Sequence, residues 1–167
     1  MPVPTSGTAT MTTPTDEQIL ITREFDAPKR LVWRAWTTAE LVTRWWSGGR
    51  GEMTVCEIDL RPGGAWRYVM VADDGMEVGF HGVYREVVPS ERLVSTETYE
   101  GLPEGVSDDD GTTVNTATFV EENGRTFVTL LVECPNRLSR DAIIESGMED
   151  GLQDALDLLE QAAQSLR

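Results

Sequence analysis

Trp33-Arg-Ala-Trp36-Thr-Thr-Ala-Glu-Leu-Val-Thr-Arg-Trp45-Trp46 gathers four of the protein's five tryptophans, in a chain whose aromatic residues make up only 7 % of the total. Large flat side chains crowded onto one helical stretch mark a wall or a doorway. The segment also punctuates the chain. Before it, Ile19, Ile21 and Phe25 alternate with polar residues from Gln18 onward, the pattern of a strand with one buried face. Asp26 and Pro28 then signal a helix start, because proline loses nothing where the backbone N–H lacks a partner anyway. The spacing predicts a short helix over 28–36. Thr37 and Glu40 have capping-box spacing, which predicts a second helix through Trp46, closed by Ser47-Gly48-Gly49.

After this helical insert the texture changes. From residue 50 to about Pro135, apolar and polar residues alternate between turn signals at Arg61-Pro62-Gly63-Gly64, Asp73-Asp74-Gly75, Pro89-Ser90-Glu91 and Glu122-Asn123-Gly124, which predicts six strands in a meander of hairpins. The last segment spaces Ile144, Met148, Leu152, Leu156, Leu159 and Ala163 at steps of three and four, the stripe of a helix that buries one face on the sheet. Gly147 and Gly151 are costly inside a helix, at about 1 kcal/mol each. Either they make room for close packing, or Ser146-Gly147 splits the helix.

Register decides which side chains share a face, since a one-residue slip inverts them all. Three-residue loops at Arg-Pro-Gly and Asp-Asp-Gly collect Cys56, Ile58, Trp66, Tyr68, Met70, Val78, Phe80 and Tyr84 on one face, and Glu57, Asp59, Arg67, His81 and Arg85 on the other. Even loops would bury several ionisable groups, so the odd ones are preferred. A two-residue type I′ turn at Asn123-Gly124 adds Phe119, Val128, Leu130 and Val132 to the inner face. A four-residue connection around Pro-Ser-Glu would set Glu97 opposite Tyr84 on that face, with Leu93 and Tyr99. The competing placement puts Glu97 in solvent or beside a cation.

Composition excludes several classes. The net charge of −15 repels phosphate backbones and anionic membrane surfaces, so no nucleic-acid partner is expected. No apolar run approaches the roughly 18 residues of a membrane span. Cys56 and Cys134 are too few for a disulfide framework and read as reduced core thiols; with a single histidine, no metal site or other cofactor is expected. Residues 1–16, rich in Thr, Pro, Ser and Gly, read as a disordered tail, and 17–167 as one domain. The start of the chain lacks the pattern of a secretory signal, which points to the cytoplasm. A homodimer is left open.

Arg23-Glu-Phe-Asp-Ala-Pro28, Val32-Trp33-Arg-Ala-Trp36-Thr, Trp45-Trp46, Asp59-Leu-Arg-Pro-Gly-Gly64-Ala-Trp66-Arg-Tyr68, Gly82-Val-Tyr84-Arg-Glu86, Pro89-Ser-Glu-Arg-Leu93-Val and Gly147-Met-Glu-Asp-Gly151-Leu resemble, in their order, the Hsp90-ATPase-activator-homologue-like branch of the START and Bet v 1 (SRPBCC) superfamily, across residues 18–163. The resemblance implies an α+β helix-grip fold: a curved antiparallel sheet of about seven strands wraps a long C-terminal helix, with two short helices between strands 1 and 2. The space between sheet and helix is commonly a cavity for hydrophobic small molecules. Ser47-Gly48-Gly49 where relatives often carry Gly-Pro, and Leu152 where they often carry an aromatic, imply a roomier site.

No nucleophile with an activating base is readable, and no phosphate-binding glycine loop. The expected function is therefore binding of a small hydrophobic or amphipathic molecule without catalysis. Trp66, Tyr68, Phe80, Tyr84, Phe119, Met148 and Leu152 would be its walls and Glu97 its polar anchor. Adjacent helical residues point about 100° apart, so of Trp45 and Trp46 one belongs to the core and the other to the mouth. Two alternatives stand: a polyketide cyclase or hydrolase using Tyr68, Tyr84 and a desolvated Glu97, and a co-chaperone of an Hsp90-type ATPase.

Overall fold

Alternation in the strands and a helical insert after the first long one produce one open antiparallel sheet with helices on its inner side. The computed structural model describes residues 8–101 and 111–167. The strands are β1 (Thr10–Thr12), β2 (Gln18–Phe25), β3 (Gly51–Ile58), β4 (Ala65–Ala72), β5 (Glu77–Val88), β6 (Arg92–Tyr99), β7 (Thr112–Glu122) and β8 (Arg125–Glu133). Helices α1 (Lys29–Thr37) and α2 (Ala39–Trp45) follow β2, and α3 (Arg137–Glu145) and α4 (Met148–Gln164) end the chain. The sheet order is β1-β2-β8-β7-β6-β5-β4-β3. This is the helix-grip α+β architecture.

The six central strands form the expected meander, and the turn chemistry explains why. Val71 stands opposite Glu77 across Asp73-Asp74-Gly75, with Gly75 in the left-handed region at φ 87°. Ile58 stands opposite Trp66, the odd parity expected, although the connection is longer than three residues: the Asp59 N–H donates to the Ala65 carbonyl at 3.0 Å, and Gly63, at φ 83°, donates to the Tyr84 carbonyl. Asn123 and Gly124, at φ 55° and 76°, make the two-residue turn that pairs Phe119 with Val128.

Four expectations need correction. A strand lies where composition suggested only a tail: Thr10–Thr12 pair with β2, placing Met11 opposite Ile21, so the strands number eight rather than about seven. The two short helices therefore lie between β2 and β3. The Thr37–Glu40 capping box does not form, because Thr37 belongs to the last turn of α1, where its buried hydroxyl donates to the Trp33 carbonyl at 2.7 Å. Thr38 is the N-cap of α2, without a side-chain cap. The Pro-Ser-Glu connection holds three residues, not four, with Val88 opposite Arg92, and Tyr84 stands opposite Ser95 instead of Glu97.

The terminal helix is split. Gly147, at φ 82°, separates α3 from α4. A side-chain carbon at Gly151 would meet only the end of the Arg50 side chain, at 3.5 Å, so of the two readings of these glycines the split at Gly147 is the one realised.

The core lies between the inner face of the sheet and the helices. Phe25, Val32, Val42, Phe119 and Leu159 are sealed within it. Phe119 meets Trp33 and Trp36 edge-on at 5.4 and 5.5 Å between ring centres, geometry that adds about 0.5–1.5 kcal/mol per pair beyond area burial. Ala155, Leu156, Leu159, Ala162 and Ala163 of α4 belong to the same cluster. A smaller cluster joins Ile19, Ile21, Val132 and Cys134 to Met11, Ile144 and Met148. Both cysteines are free thiols. No helix among the described residues is long and apolar enough to cross a membrane.

Candidate functional site

Across four strands the register aligns one inner row: Cys56 opposite Tyr68, Tyr68 opposite Phe80, Phe80 opposite Tyr99. The α2 C-terminus drops Trp46 onto this row, edge-on to Tyr68 at 5.5 Å and to Phe80 at 5.7 Å. Tyr99 leans on Phe80 at 5.2 Å and Trp66 on Tyr68 at 4.8 Å. Trp66 is buried, and its indole N–H donates to the Thr96 carbonyl at 3.1 Å. That indole passes over Gly82, where a side-chain carbon would lie 2.7 Å from its nitrogen.

Beside the aromatic row lies a polar patch. Between the pairs His81–Thr98 and Tyr84–Ser95, Glu97 comes level with Gly82 on the inner face. Asn115 of β7 donates to its carboxylate at 3.3 Å, and Thr113 donates to the Asn115 amide oxygen at 2.9 Å. Desolvation pushes the Glu97 carboxyl up to about 7, against a weaker downward pull from the Asn115 hydrogen bond. Tyr84 is pushed up to about 12, first by burial, while a hydrogen bond from the Tyr68 phenol pulls the other way. Tyr68 is also raised well above its ordinary value, by burial first, then by Tyr84 and Cys56, with Glu97 adding to the effect. Both phenols are therefore neutral donors at pH 7. Burial likewise lifts Cys56 to about 11, so its thiol, 3.5 Å from the Ala39 carbonyl oxygen, is no nucleophile.

Glu97 has no cationic partner among the described residues. Arg23, on the inner side of β2 and only 2 % exposed, is taken by α4: Asp157 lies 2.7 Å away and Glu160 3.7 Å. His81 points outward, as its register requires, and binds Glu100 at 2.9 Å. Arg67 grips the same carboxylate through two bonds of 3.0 and 2.9 Å, and these bonds hold the Glu100 carboxyl below its ordinary value. Among the described residues no group of three His, Cys, Asp or Glu side chains could hold a metal ion.

The ten residues singled out from the sequence fall into three sets. Tyr68, Phe80, Tyr84, Glu97, Trp66 and Trp46 converge on one patch, with Trp46 half-buried at its rim. Trp45 and Phe119 are core: Trp45 is 6 % exposed with its N–H on the Ala35 carbonyl, and Phe119 is 1 % exposed. Met148 and Leu152 are half-buried on α4, against the smaller cluster, and Leu152 also touches the larger one. Asn115 carried no expectation, and Tyr99, expected on the inner face, was not among the ten. Stepping back two residues at a time from Phe119 along β7 would have reached Asn115.

One surface depression, about 400 Å³, lies on the outward face among Glu57, Arg67, His81, Val83 and Thr98 and reaches Trp66, and another lies by Arg44 and Leu158. Neither contains Glu97. The outward one is a weaker candidate, because Arg67 and His81 already satisfy Glu100 there.

Residues 26–164 match the family described as Activator of Hsp90 ATPase homolog 1-like protein. The chain belongs to that family. The same fold appears in a crystal structure of a Rhodobacter sphaeroides protein, 24 % identical, with a TM-score of 0.84 over 95 % of this chain and 99 % of that one. A Mycobacterium smegmatis protein, Ms6760, is 22 % identical at TM-score 0.80, covering 92 % and 95 %. The solution structure of a family member from Aeromonas hydrophila, described as AHSA1-like, is 22 % identical at TM-score 0.62, covering 88 % and 93 %. At these identities the likeness carries the fold alone. No curated protein matches the chain.

Proposed function

We propose that this family member binds a small hydrophobic or amphipathic molecule between the inner face of the sheet and α4, without a chemical step. The observation that carries the reading is Glu97, a carboxyl facing an apolar interior, whose partner among the described residues is one neutral amide. Exposure supports it. Trp66 and Tyr84 are sealed, whereas Trp46, Tyr68, Phe80, Glu97, Tyr99 and Leu152 keep some solvent-accessible area. Tyr68 and Glu97 are nevertheless desolvated enough to shift their ionisation strongly. Accessible area together with desolvation is the combination expected of side chains lining a narrow hollow. Apolar walls with a few convergent polar groups are the usual make-up of a small-molecule site.

A second reading has a specific observation behind it. A carboxyl ionising near 7 beside a neutral phenol is equipped to move a proton, as in a cyclase or hydrolase acting on an aromatic polyketide-like substrate. Native mass spectrometry for a co-purified molecule, followed by thermal-shift screening with lipids, flavonoids and aromatic polyketides, tests the binding reading. Absence of any bound mass, with melting temperature unmoved by every class, would remove it. Turnover of a bound compound that vanishes in Glu97→Gln would favour the enzyme.

A further inference from the structure

We infer that the molecule taken up beside Glu97 carries a protonated amine on an apolar body, and that Glu97 receives it as an ion-pair partner. This rests on the binding reading above and specifies the ligand's charge. Four features select a cation. The carboxylate has about four acceptor positions, and Asn115 occupies one of them at 3.3 Å. Arg23, the buried cation on the inner face among the described residues, is already held by Asp157 and Glu160. The neighbouring walls are the rings of Trp46, Tyr68, Phe80 and Tyr99, whose faces attract a cation within about 6 Å. A chain of net charge −15 draws cations towards it and repels anions.

The competing head groups fare worse. A carboxylate-headed lipid would set a like charge against Glu97, and an alcohol would gain a hydrogen bond without charge attraction. Among the described residues, the groups facing Glu97 leave nothing else to titrate near neutrality. From β7 comes Asn115 and from β4 the Tyr68 phenol, with the Tyr84 phenol of β5 and the Cys56 thiol of β3 acting on Tyr68; the phenols and the thiol are neutral at pH 7. Helix α4 contributes apolar Leu152, Ala155, Leu156 and Leu159 to the core, and its nearby carboxylates Asp157 and Glu160 are engaged by Arg23. From α2, Trp46 brings no charge.

Two probe series differing only in head group test the inference. One comprises 2-(1-naphthyl)ethylamine, 2-(1-naphthyl)ethanol and 1-naphthylacetate; the other comprises decylamine, decanol and decanoate below their micelle concentrations. Titration calorimetry at pH 8 should rank the amine at least about tenfold tighter than the alcohol in at least one series, with the carboxylate weakest. Lowering the pH from 8 to 6 takes Glu97 from mostly ionised to mostly protonated, so amine affinity should fall about tenfold while alcohol affinity stays level. At pH 7 the amine should release a fraction of a proton, read from the dependence of heat on buffer ionisation. Glu97→Gln, checked for folding by circular dichroism, should keep the alcohol and lose the amine's advantage; the wild-type pH dependence stands without the variant. An alcohol or carboxylate binding as tightly as the amine would overturn the amine inference and leave the hydrophobic site standing. No binding by any of the six would overturn both.

Discussion

Replacing Glu97 by glutamine should stabilise the protein, and by an amount that depends on pH in a prescribed direction. The carboxyl ionises at about 7 in the folded chain against 4.5 for a glutamate in water. Between those values the unfolded chain has released a proton that the folded chain keeps, so stability falls as pH rises through that window and levels off above it. At about 1.4 kcal/mol per tenfold difference in proton affinity, the full cost is about 3 kcal/mol. Glutamine keeps the shape and can still accept from Asn115, but it carries no charge to desolvate. The variant should match the wild type near pH 4.5 and exceed it by about 3 kcal/mol at pH 8, equivalent to about 6–12 °C in melting temperature for a chain of this length. Urea unfolding of both proteins at several pH values measures the difference directly, with the other titrating groups cancelling. A stability gap of the same size at pH 4.5 and pH 8 would refute the reasoning.

Three other substitutions probe the frame around the site. Phe119→Ala removes a side chain only 1 % exposed and leaves Trp33 and Trp36 without their edge-on neighbour, which should cost about 3–5 kcal/mol in urea unfolding. Gly82→Ala would put a carbon 1.9 Å from the Thr96 carbonyl oxygen and 2.7 Å from the Trp66 nitrogen, so the near-ultraviolet dichroism of the tryptophans should change and the melting temperature drop. Arg23→Met exchanges a buried guanidinium for an apolar chain of similar length and should lie within about 1 kcal/mol of neutral; Asp157→Ala, which strips the closer partner from that buried charge, should cost about 2 kcal/mol, Glu160 softening the loss.

The inner face was legible wherever a short turn with demanding backbone geometry set the register. Gly75 in its three-residue loop and Asn123-Gly124 in its type I′ turn leave few choices, and the pairs Val71–Glu77 and Phe119–Val128 follow from them. Glu97 came out on the inner face for a less direct reason. The connection before β6 is one residue shorter than expected, which alone would have turned Glu97 outward, but a bulge between Tyr84 and Glu86 shifts the register by one and turns it back. No glycine or turn residue marks that bulge. Strand β1 had no local signal either: Thr-Met-Thr becomes a strand because Met11 packs against the small core cluster and the Ala9 N–H reaches Gln153 of α4, 144 residues away. Thr37 shows the same limit, for its hydroxyl chose a carbonyl behind it in α1 over the cap ahead.

Two ionisable side chains on the inner face are treated in opposite ways, and the contrast bears on the proposed site. Arg23 is met by two carboxylates from α4, so the fold is able to neutralise a buried charge where structure alone requires it. Glu97, a few strands away, meets one amide and several aromatic rings, and stays costly to ionise. An apolar residue there would pack as well with no such penalty, since buried carboxyls without partners weaken a fold. Strongly shifted ionisation in an interior setting is a recognised mark of functional positions, where stability is exchanged for chemistry or binding. An amine entering from outside would supply the charge that the chain withholds, and the penalty measured in the unliganded protein would then reappear as affinity.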